Sequence, residues 1–209
     1  MIKINVKFIY ERSWWQNLLL VSLGVLFLSF GSAINFCAGL GNDPVSVLFD
    51  GISFKFHLSL GTAAYLINAI VFLVAFIFGK KHLGIGTLIY VFFTGKLIDS
   101  FVSLYKNSIP WQSLPFRALS ASVGCFIMLF GVVLMVVSSL GSDVWTAAAM
   151  ALSDFFKKDY KKLKIISDSS ICFLGFVCGG TAGLVTLVLV LSGGPFVKFM
   201  SKKLEKIFL

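Results

Sequence analysis

The chain has 209 residues, of which 58% are hydrophobic and only 13% are charged, and its mean hydropathy is +0.95. Soluble domains carry roughly 25% charged residues, so this composition excludes an ordinary water-soluble protein and predicts a multi-pass membrane protein in contact with the lipid bilayer. The net charge of +9 does not indicate nucleic-acid binding, because the basic residues gather in short segments between apolar runs, as they do in membrane proteins.

In the first half of the chain, apolar runs near 20 residues long predict transmembrane helices over residues 16–38, 60–79 and 83–104. A short helix, too brief to span, is predicted over residues 44–56. Two glycines interrupt the chain before it, Asp43 is a good N-cap, and Pro44 suits the first helical position. The apolar run after Trp15 is too long for a signal-peptide core, so we expect the first helix to be retained.

The second half is predicted to follow the same plan. Its spans are expected over residues 117–140, 165–179 and 180–199, and Asp143 is expected to cap another short helix over 144–156. Residues 105–116 are predicted to connect the halves, and the basic tail after residue 201 is predicted to form a solvated amphipathic turn.

A repeat with an offset of about 100 residues organises the chain. Leu40-Gly41-Asn42-Asp43 returns as Leu140-Gly141-Ser142-Asp143, and further pairs of matching positions are Gly24 and Gly124, Gly31 and Gly131, Ser53 and Ser153, and Asn68 and Asp168. Residues 16–104 and 117–201 are therefore predicted to be two copies of one unit within a single membrane domain over residues 1–209.

Three spans per copy is an odd number, so the second copy is predicted to enter the membrane upside down. The expected fold is all-α, with six transmembrane helices in two inverted three-helix repeats and short broken helices. Many secondary transporters have this architecture, with solute bound where the halves meet. Most of the 18 Lys and Arg residues fall on the side of the N-terminus, which predicts cytoplasmic N- and C-termini in the bacterial inner membrane.

Several motifs are similar to those of a known family. The glycine-spaced first span, the Leu-Gly-Asn-Asp-Pro turn, the Gly-Ile-Gly-Thr start of the third span and the closing Gly-Gly-Pro-Phe-Val resemble the YczE/YyaS/YitT group of bacterial membrane proteins. The resemblance covers nearly the whole chain. It implies a multi-pass protein with a transporter-like role, and exporter activity is suggested for some relatives. It assigns no binding residues, and this chain departs from the Gly-Pro that often follows the turn glycines.

Polar residues in and between the apolar runs are the candidates for a solute site. Asp43 and Asp143 either only cap their helices or also hold a polar group or a cation. Lys96 and Asp99 are three residues apart, which predicts an intrahelical ion pair, with a solute-binding lysine as the alternative. The candidate substrate-binding residues are Asn42, Asp43, Asn68, Lys96, Asp99, Asp143, Trp145 and Asp168.

No phosphate-binding loop, catalytic triad or metal-ligand spacing occurs, so we expect neither an enzyme nor a bound cofactor or metal. His57 and His82 have no carboxylate or thiol at ligand spacing and are expected to be interfacial residues.

Three functions fit these patterns. The first is a membrane transporter of a small organic solute. The second is the substrate-binding component of an energy-coupling-factor vitamin uptake transporter, which would dock an ATPase and transmembrane coupling module on the small-residue face of the first span. The third is a membrane scaffold that transports nothing.

Overall fold

The computed structural model describes residues 13–108 and 113–207, and within these ranges it contains helices and no strands. The helices are α1 (Trp14–Ala38), α2 (Pro44–Phe56), α3 (Leu60–Gly79), α4 (Ile85–Ser108), α5 (Leu114–Ser138), α6 (Val144–Phe156), α7 (Tyr160–Val177) and α8 (Leu184–Ile207). A 3-10 turn, Lys80–His82, joins α3 to α4. The predicted all-helical fold is confirmed.

The boundaries of three helices agree with the sequence, and those of the other five differ at one or both ends. Both short helices and α3 have their predicted bounds. The prediction of a turn in the basic tail is wrong, because α8 continues to Ile207. Lysine is a good helix former, and positive charge is favourable at a helix C-terminus. The connector is shorter than residues 105–116, and residues 109–112 of that stretch lie outside the described residues.

Five of the helices are long and apolar enough to cross a membrane: α1, α3, α4, α5 and α8. Helix α7 is not one of them, since four of its 18 residues are charged. Large apolar side chains cover the outer surface of the bundle, including Leu19, Ile77, Leu184 and Leu191, each at least 60% exposed. Such a surface is unfavourable in water and is compatible with a multi-pass membrane protein.

Helices α1 and α5 pack closely at the centre of the bundle, and glycines make this possible. A Cβ atom added at Gly24 would lie 2.7 Å from Cγ of Met135, and one added at Gly31 would collide with the carbonyl oxygen of Gly124. The register, with Gly24 beside Gly131 and Gly31 beside Gly124, makes the two helices antiparallel. Small residues on α1 were predicted to admit a close neighbour, and that neighbour is α5.

The remaining helices pack in matched pairs. Helix α1 packs against α4 as α5 packs against α8, and α2 packs against α7 as α6 packs against α3. The two short helices also end alike: His57 and Lys157 have φ angles of 54° and 53°. Beside them, the Ser53 and Ser153 hydroxyls each donate to a carbonyl oxygen five residues later, at 2.7 Å. The recurrence of this serine in the sequence therefore has a structural cause.

The largest group of buried apolar residues lies between the short helices and the long ones. It contains Val21 and Val25 of α1, Phe49 of α2, Tyr90 of α4 and Trp145 of α6, among others. The interior of the protein is thus built around the beginnings of α2 and α6, where the candidate polar residues also lie.

Candidate functional site

The two Asp residues that precede α2 and α6 cap these helices, as predicted. Oδ2 of Asp43 accepts hydrogen bonds from the backbone N–H groups of Val45 and Ser46, at 3.2 and 3.3 Å. Oδ1 of Asp143 accepts from the N–H groups of Trp145 and Thr146, at 3.1 and 2.9 Å. In each case a single carboxylate oxygen satisfies two helix-terminal donors.

Asn42 holds the first of the two loops in place. Its Nδ2 donates to the backbone oxygen and the hydroxyl oxygen of Ser32, at 3.1 and 3.2 Å, and its Oδ1 accepts from the Asp43 N–H at 2.9 Å. The residue is 2% exposed. Because both polar atoms of its amide already bond to the protein, Asn42 positions Asp43, and its amide is not free for a solute.

Each loop is closed by the other half of the chain. The Leu40 carbonyl oxygen accepts from the Val185 N–H at 3.1 Å, and the Leu140 carbonyl oxygen accepts from the Gly86 N–H at 2.9 Å. Two threonines form further hydrogen bonds between the halves. The Thr186 hydroxyl accepts from the Asn42 N–H at 3.2 Å, and the Thr87 hydroxyl donates to the Ser142 carbonyl at 2.7 Å. The sequence contained the repeat but did not show that its loops bond across the halves.

Glycine suits positions 41 and 141 of the two loops for two reasons. Their φ angles, 100° and 119°, favour glycine. A Cβ atom at Gly41 would also lie 2.6 Å from Oγ1 of Thr186, and one at Gly141 would lie 2.9 Å from Oγ1 of Thr87.

Tyr90 of α4 lies between the beginnings of the two short helices. It is 4% exposed and belongs to the same buried group as Val45 of α2 and Trp145 of α6. A tyrosine within an apolar run carries no distinctive sequence signal, so sequence reasoning missed this residue.

Asn68 and Trp145, both candidate site residues, are brought together by the fold. The Trp145 indole N–H donates to Oδ1 of Asn68 at 2.9 Å. Asn68 has no exposed surface, and its Nδ2 has no hydrogen-bond partner among the described residues. The Trp145 ring also lies near that of Phe49, with their centroids 6.3 Å apart.

Helix α7 contributes an ion pair to the same region. Nζ of Lys164 lies 2.8 Å from Oδ1 of Asp168, and both side chains are 27% exposed. The charge of Asp143 acts on both residues, and the charge of Asp168 acts on Asp43. Lys164 was missed as a site residue because the sequence placed it only in the basic run before α7.

The predicted ion pair between Lys96 and Asp99 is wrong. Both oxygens of Asp99 are used elsewhere: Oδ2 accepts from the Ser59 hydroxyl at 2.6 Å and Oδ1 from the Gly61 N–H at 2.7 Å. Asp99 therefore satisfies donors at the beginning of α3, which competes with the local pairing. Lys96 is exposed on α4. Neither residue forms a hydrogen bond or an ion pair with Asp43, Asp143 or Tyr90, so these two candidates are not part of the central group.

A cavity of about 70 Å³ lies beside the first loop, lined in part by Asn35, Asn42, Asp50, Leu60 and Thr181. Liquid water occupies about 30 Å³ per molecule, and pockets for small organic ligands measure roughly 300–1,000 Å³. The cavity therefore has room for water and not for a typical organic ligand.

Each short helix is also tied to the other half away from the loops. Asp50 of α2 accepts from the Thr181 N–H at 2.7 Å. Asp154 of α6 pairs with Lys81 at 2.9 Å and with Nε2 of His82 at 2.6 Å. Hydrogen bonds from Lys81 and His82 lower the pKa of Asp154 from its ordinary value. No carboxylate lies near His82 in the sequence, because Asp154 is 72 residues away along the chain.

Comparison with known proteins identifies the family. Residues 15–202 match DUF6198, a family of unknown function. The chain belongs to DUF6198. It is also 26% identical to an uncharacterized protein of Haemophilus influenzae, over 95% of this chain and 93% of the relative. It is 26% identical to the uncharacterized protein YyaS of Bacillus subtilis, over 90% of this chain and 93% of that protein. The resemblance to the YczE/YyaS/YitT group is thereby confirmed. No solved structure matches the DUF6198 chain significantly.

Proposed function

We propose that this DUF6198 protein is a multi-pass transporter of the cell membrane that binds a small organic solute between two inverted halves. The observation that carries the proposal is that α2 and α6 both begin inside the bundle, each capped by an Asp carboxylate. Val45 and Trp145, from the first turns of these two helices, pack with Tyr90 in one buried group. Helices that begin inside a membrane protein expose polar groups at their ends, and discontinuous helices bind solutes in this way in many secondary transporters. Polar residues placed in hydrocarbon are costly and usually serve such a site.

The proposed topology has six spans, with α7 as the sixth. The charges of α7 lie in its first nine residues, and the remainder, from Ser169 to Val177, is uncharged. Its first turns would then lie at the membrane surface. The matched packing of α1 with α4 and α5 with α8, together with the antiparallel crossing of α1 and α5, supports an inverted repeat. Under the positive-inside rule, both termini are cytoplasmic.

The two alternative functions gain no support from the site geometry. An energy-coupling-factor component was expected to dock its partner on the small-residue face of α1, but α5 packs against that face through Gly124 and Gly131. A scaffold needs no group of polar side chains inside the bundle, and burying such groups is unfavourable without a function. The transporter is therefore the function that the geometry supports best.

Two measurements test the proposal. The first is topology. In a variant without native cysteines, Cys is introduced at His57 or at Lys157, the matching C-caps of α2 and α6, and labelled with a membrane-impermeant thiol reagent in intact cells. We expect labelling at position 57 and none at 157. Equal labelling of both positions would contradict the inverted arrangement.

The second measurement is solute binding. The purified chain is screened by thermal shift against a panel of small charged and neutral organic solutes, and each hit is tested for uptake into proteoliposomes. We expect at least one hit, which is lost in Asp143→Asn and retained in Lys96→Gln. Asparagine still caps a helix, so the first variant removes charge without removing the cap. A panel without any hit, or hits that resist Asp143→Asn, would overturn the proposed site.

A further inference from the structure

We infer that the solute carries a positive charge close to a neutral hydrogen-bond acceptor, as a small ammonium alcohol does. The inference rests on the proposed function and specifies the ligand of the same site. Two observations carry it: the Asp143 carboxylate, which caps α6 at the Trp145 N–H, and the buried amide of Asn68, which bonds to the Trp145 indole and whose Nδ2 has no partner among the described residues.

The charges in this region do not balance. Lys164 pairs with Asp168, whereas neither Asp43 nor Asp143 forms an ion pair with a described residue. A helix N-terminus carries only about half a positive charge, which does not neutralise the carboxylate that caps it. Charges removed from water are unfavourable unless they are paired, so a cationic ligand would stabilise the site.

Asp143 offers a specific atom to such a ligand. Its Oδ1 accepts both cap hydrogen bonds, whereas its Oδ2 has no hydrogen bond to the residues that the structure describes. A carboxylate oxygen accepts and does not donate, so its partner must be an N–H or O–H donor or a bare cation. The same carboxylate can thus cap the helix with one oxygen and bind a ligand with the other.

Asn68 requires a hydrogen-bond acceptor on the ligand, whereas Asp143 requires a donor or a cation. Its Oδ1 is fixed by the Trp145 indole, which directs the amide, and its Nδ2 is left with no partner among the described residues. An unpaired buried donor costs roughly 1–3 kcal/mol, so an acceptor on the ligand would be favourable there. The nearby carboxylates disfavour an anionic acceptor. A hydroxyl, ether or carbonyl oxygen is the acceptor that satisfies both conditions.

Aromatic rings surround the same place. Tyr90, Trp145 and Phe49 belong to one buried group, and the centroids of the Trp145 and Phe49 rings are 6.3 Å apart. Aromatic faces attract cations, Trp most strongly, and together with carboxylates they favour ammonium groups over small hydrated metal ions. The ligand class is therefore an organic ammonium compound with an oxygen acceptor.

The test compares compounds that differ in charge alone. Choline and ethanolamine are the cationic probes, 3,3-dimethyl-1-butanol is the uncharged isostere of choline, and glycolate is the anionic control. Binding to the full purified chain is measured by calorimetry and thermal shift. We expect a cationic probe to bind at least tenfold more tightly than its neutral counterpart. We also expect Asp143→Asn to weaken that probe about tenfold and to leave the neutral compound unchanged.

The Asn68→Leu variant provides a second test. It should weaken the binding of choline more than the binding of tetramethylammonium, a cation that lacks the acceptor. Equal binding of choline and its isostere would overturn the inference and leave the transporter proposal intact. A neutral or anionic compound from the wider solute panel that binds more tightly than every cationic one would do the same, whereas a tightest hit that is cationic and has an oxygen acceptor supports the inference. If no compound in that panel binds, the transporter proposal fails as well. Asp168→Asn replaces Asp143→Asn if the latter does not fold.

Discussion

Trp145 donates its indole N–H to Oδ1 of Asn68, 77 residues away in the sequence, and this bond joins α6 of one half to α3 of the other. It also orients the amide whose Nδ2 faces the interior without a partner in the described part of the chain. The stability of the bundle and the direction of a candidate ligand-binding group therefore depend on the same contact.

Substitutions on the two sides of this contact should lower the free energy of unfolding by amounts that do not add. Trp145→Phe leaves Asn68 with neither end of its amide bonded, so we expect a loss of about 1–3 kcal/mol in the free energy of unfolding. Asn68→Leu leaves the indole N–H unpaired. The double variant should cost less than the sum of the two, because no polar partner then remains. Denaturant titration in mixed micelles measures the cycle. Trp15→Phe, at an exposed position, is the matched control, and additive costs would contradict the prediction.

The crossing of α1 and α5 should tolerate no added methyl group. A Cβ atom at Gly31 would collide with the Gly124 carbonyl and would lie 2.8 Å from Cβ of Met128. We expect Gly31→Ala to lower the free energy of unfolding by about 1–3 kcal/mol, as overpacking does. Gly194→Ala is the control, because nothing lies within 4 Å of its added Cβ. Equal melting temperatures for the two variants would mean that the crossing is looser than described.

Asp99 and Lys96 should differ sharply in their contribution to stability. Asp99 accepts two hydrogen bonds at the beginning of α3, so Asp99→Ala should cost about 1–2 kcal/mol, the range of a lost helix cap. Lys96→Ala should change the free energy of unfolding by less than about 0.5 kcal/mol, as exposed positions usually do. If the two substitutions lower the free energy of unfolding equally, an ion pair between Lys96 and Asp99 would explain the result better than the contacts of Asp99 at the beginning of α3.

The pair of Asp154 with Lys81 and His82 should make stability depend on pH in the acidic range. Lys81 and His82 lower the pKa of Asp154 in the folded protein, so its contribution is present above the ordinary Asp pKa of about 3.9 and is lost as the pH falls through the lower folded value. We expect the wild type to melt above Asp154→Asn at pH 6, and the difference to shrink below about pH 4. A difference that persists unchanged at pH 3 would assign the stabilisation to another cause.

Local sequence rules predicted the two short helices to the residue. Asp43 and Pro44 define where α2 begins, because the cap and the proline act within one turn of the chain. The same rules misplaced the partner of Asp99. Neighbouring positions on one helix are visible in a sequence, but the free N–H groups at the beginning of α3, 38 residues earlier, are not.

The candidate site was predictable only where residues were unusual for their surroundings. Asn68 and Asp168 are polar residues in apolar runs, so the sequence marked them. Tyr90 and Lys164 are ordinary residues in their stretches of sequence, and only the fold brings them to the region where α2 and α6 begin. Thr87 and Thr186 show the same limit, since their bonds to the opposite half depend on how the halves meet.

The bonds from Val185 to Leu40 and from Gly86 to Leu140 are reciprocal, so neither half of the chain closes its own loop. A fragment ending at residue 108 would lack the donor for Leu40, and one beginning at residue 113 would lack the donor for Leu140. Each half therefore depends on the other to complete its loop, and the smallest unit that can fold by itself is the pair of halves. A single copy of the repeat could satisfy its loop carbonyl in this way only by pairing with a second copy.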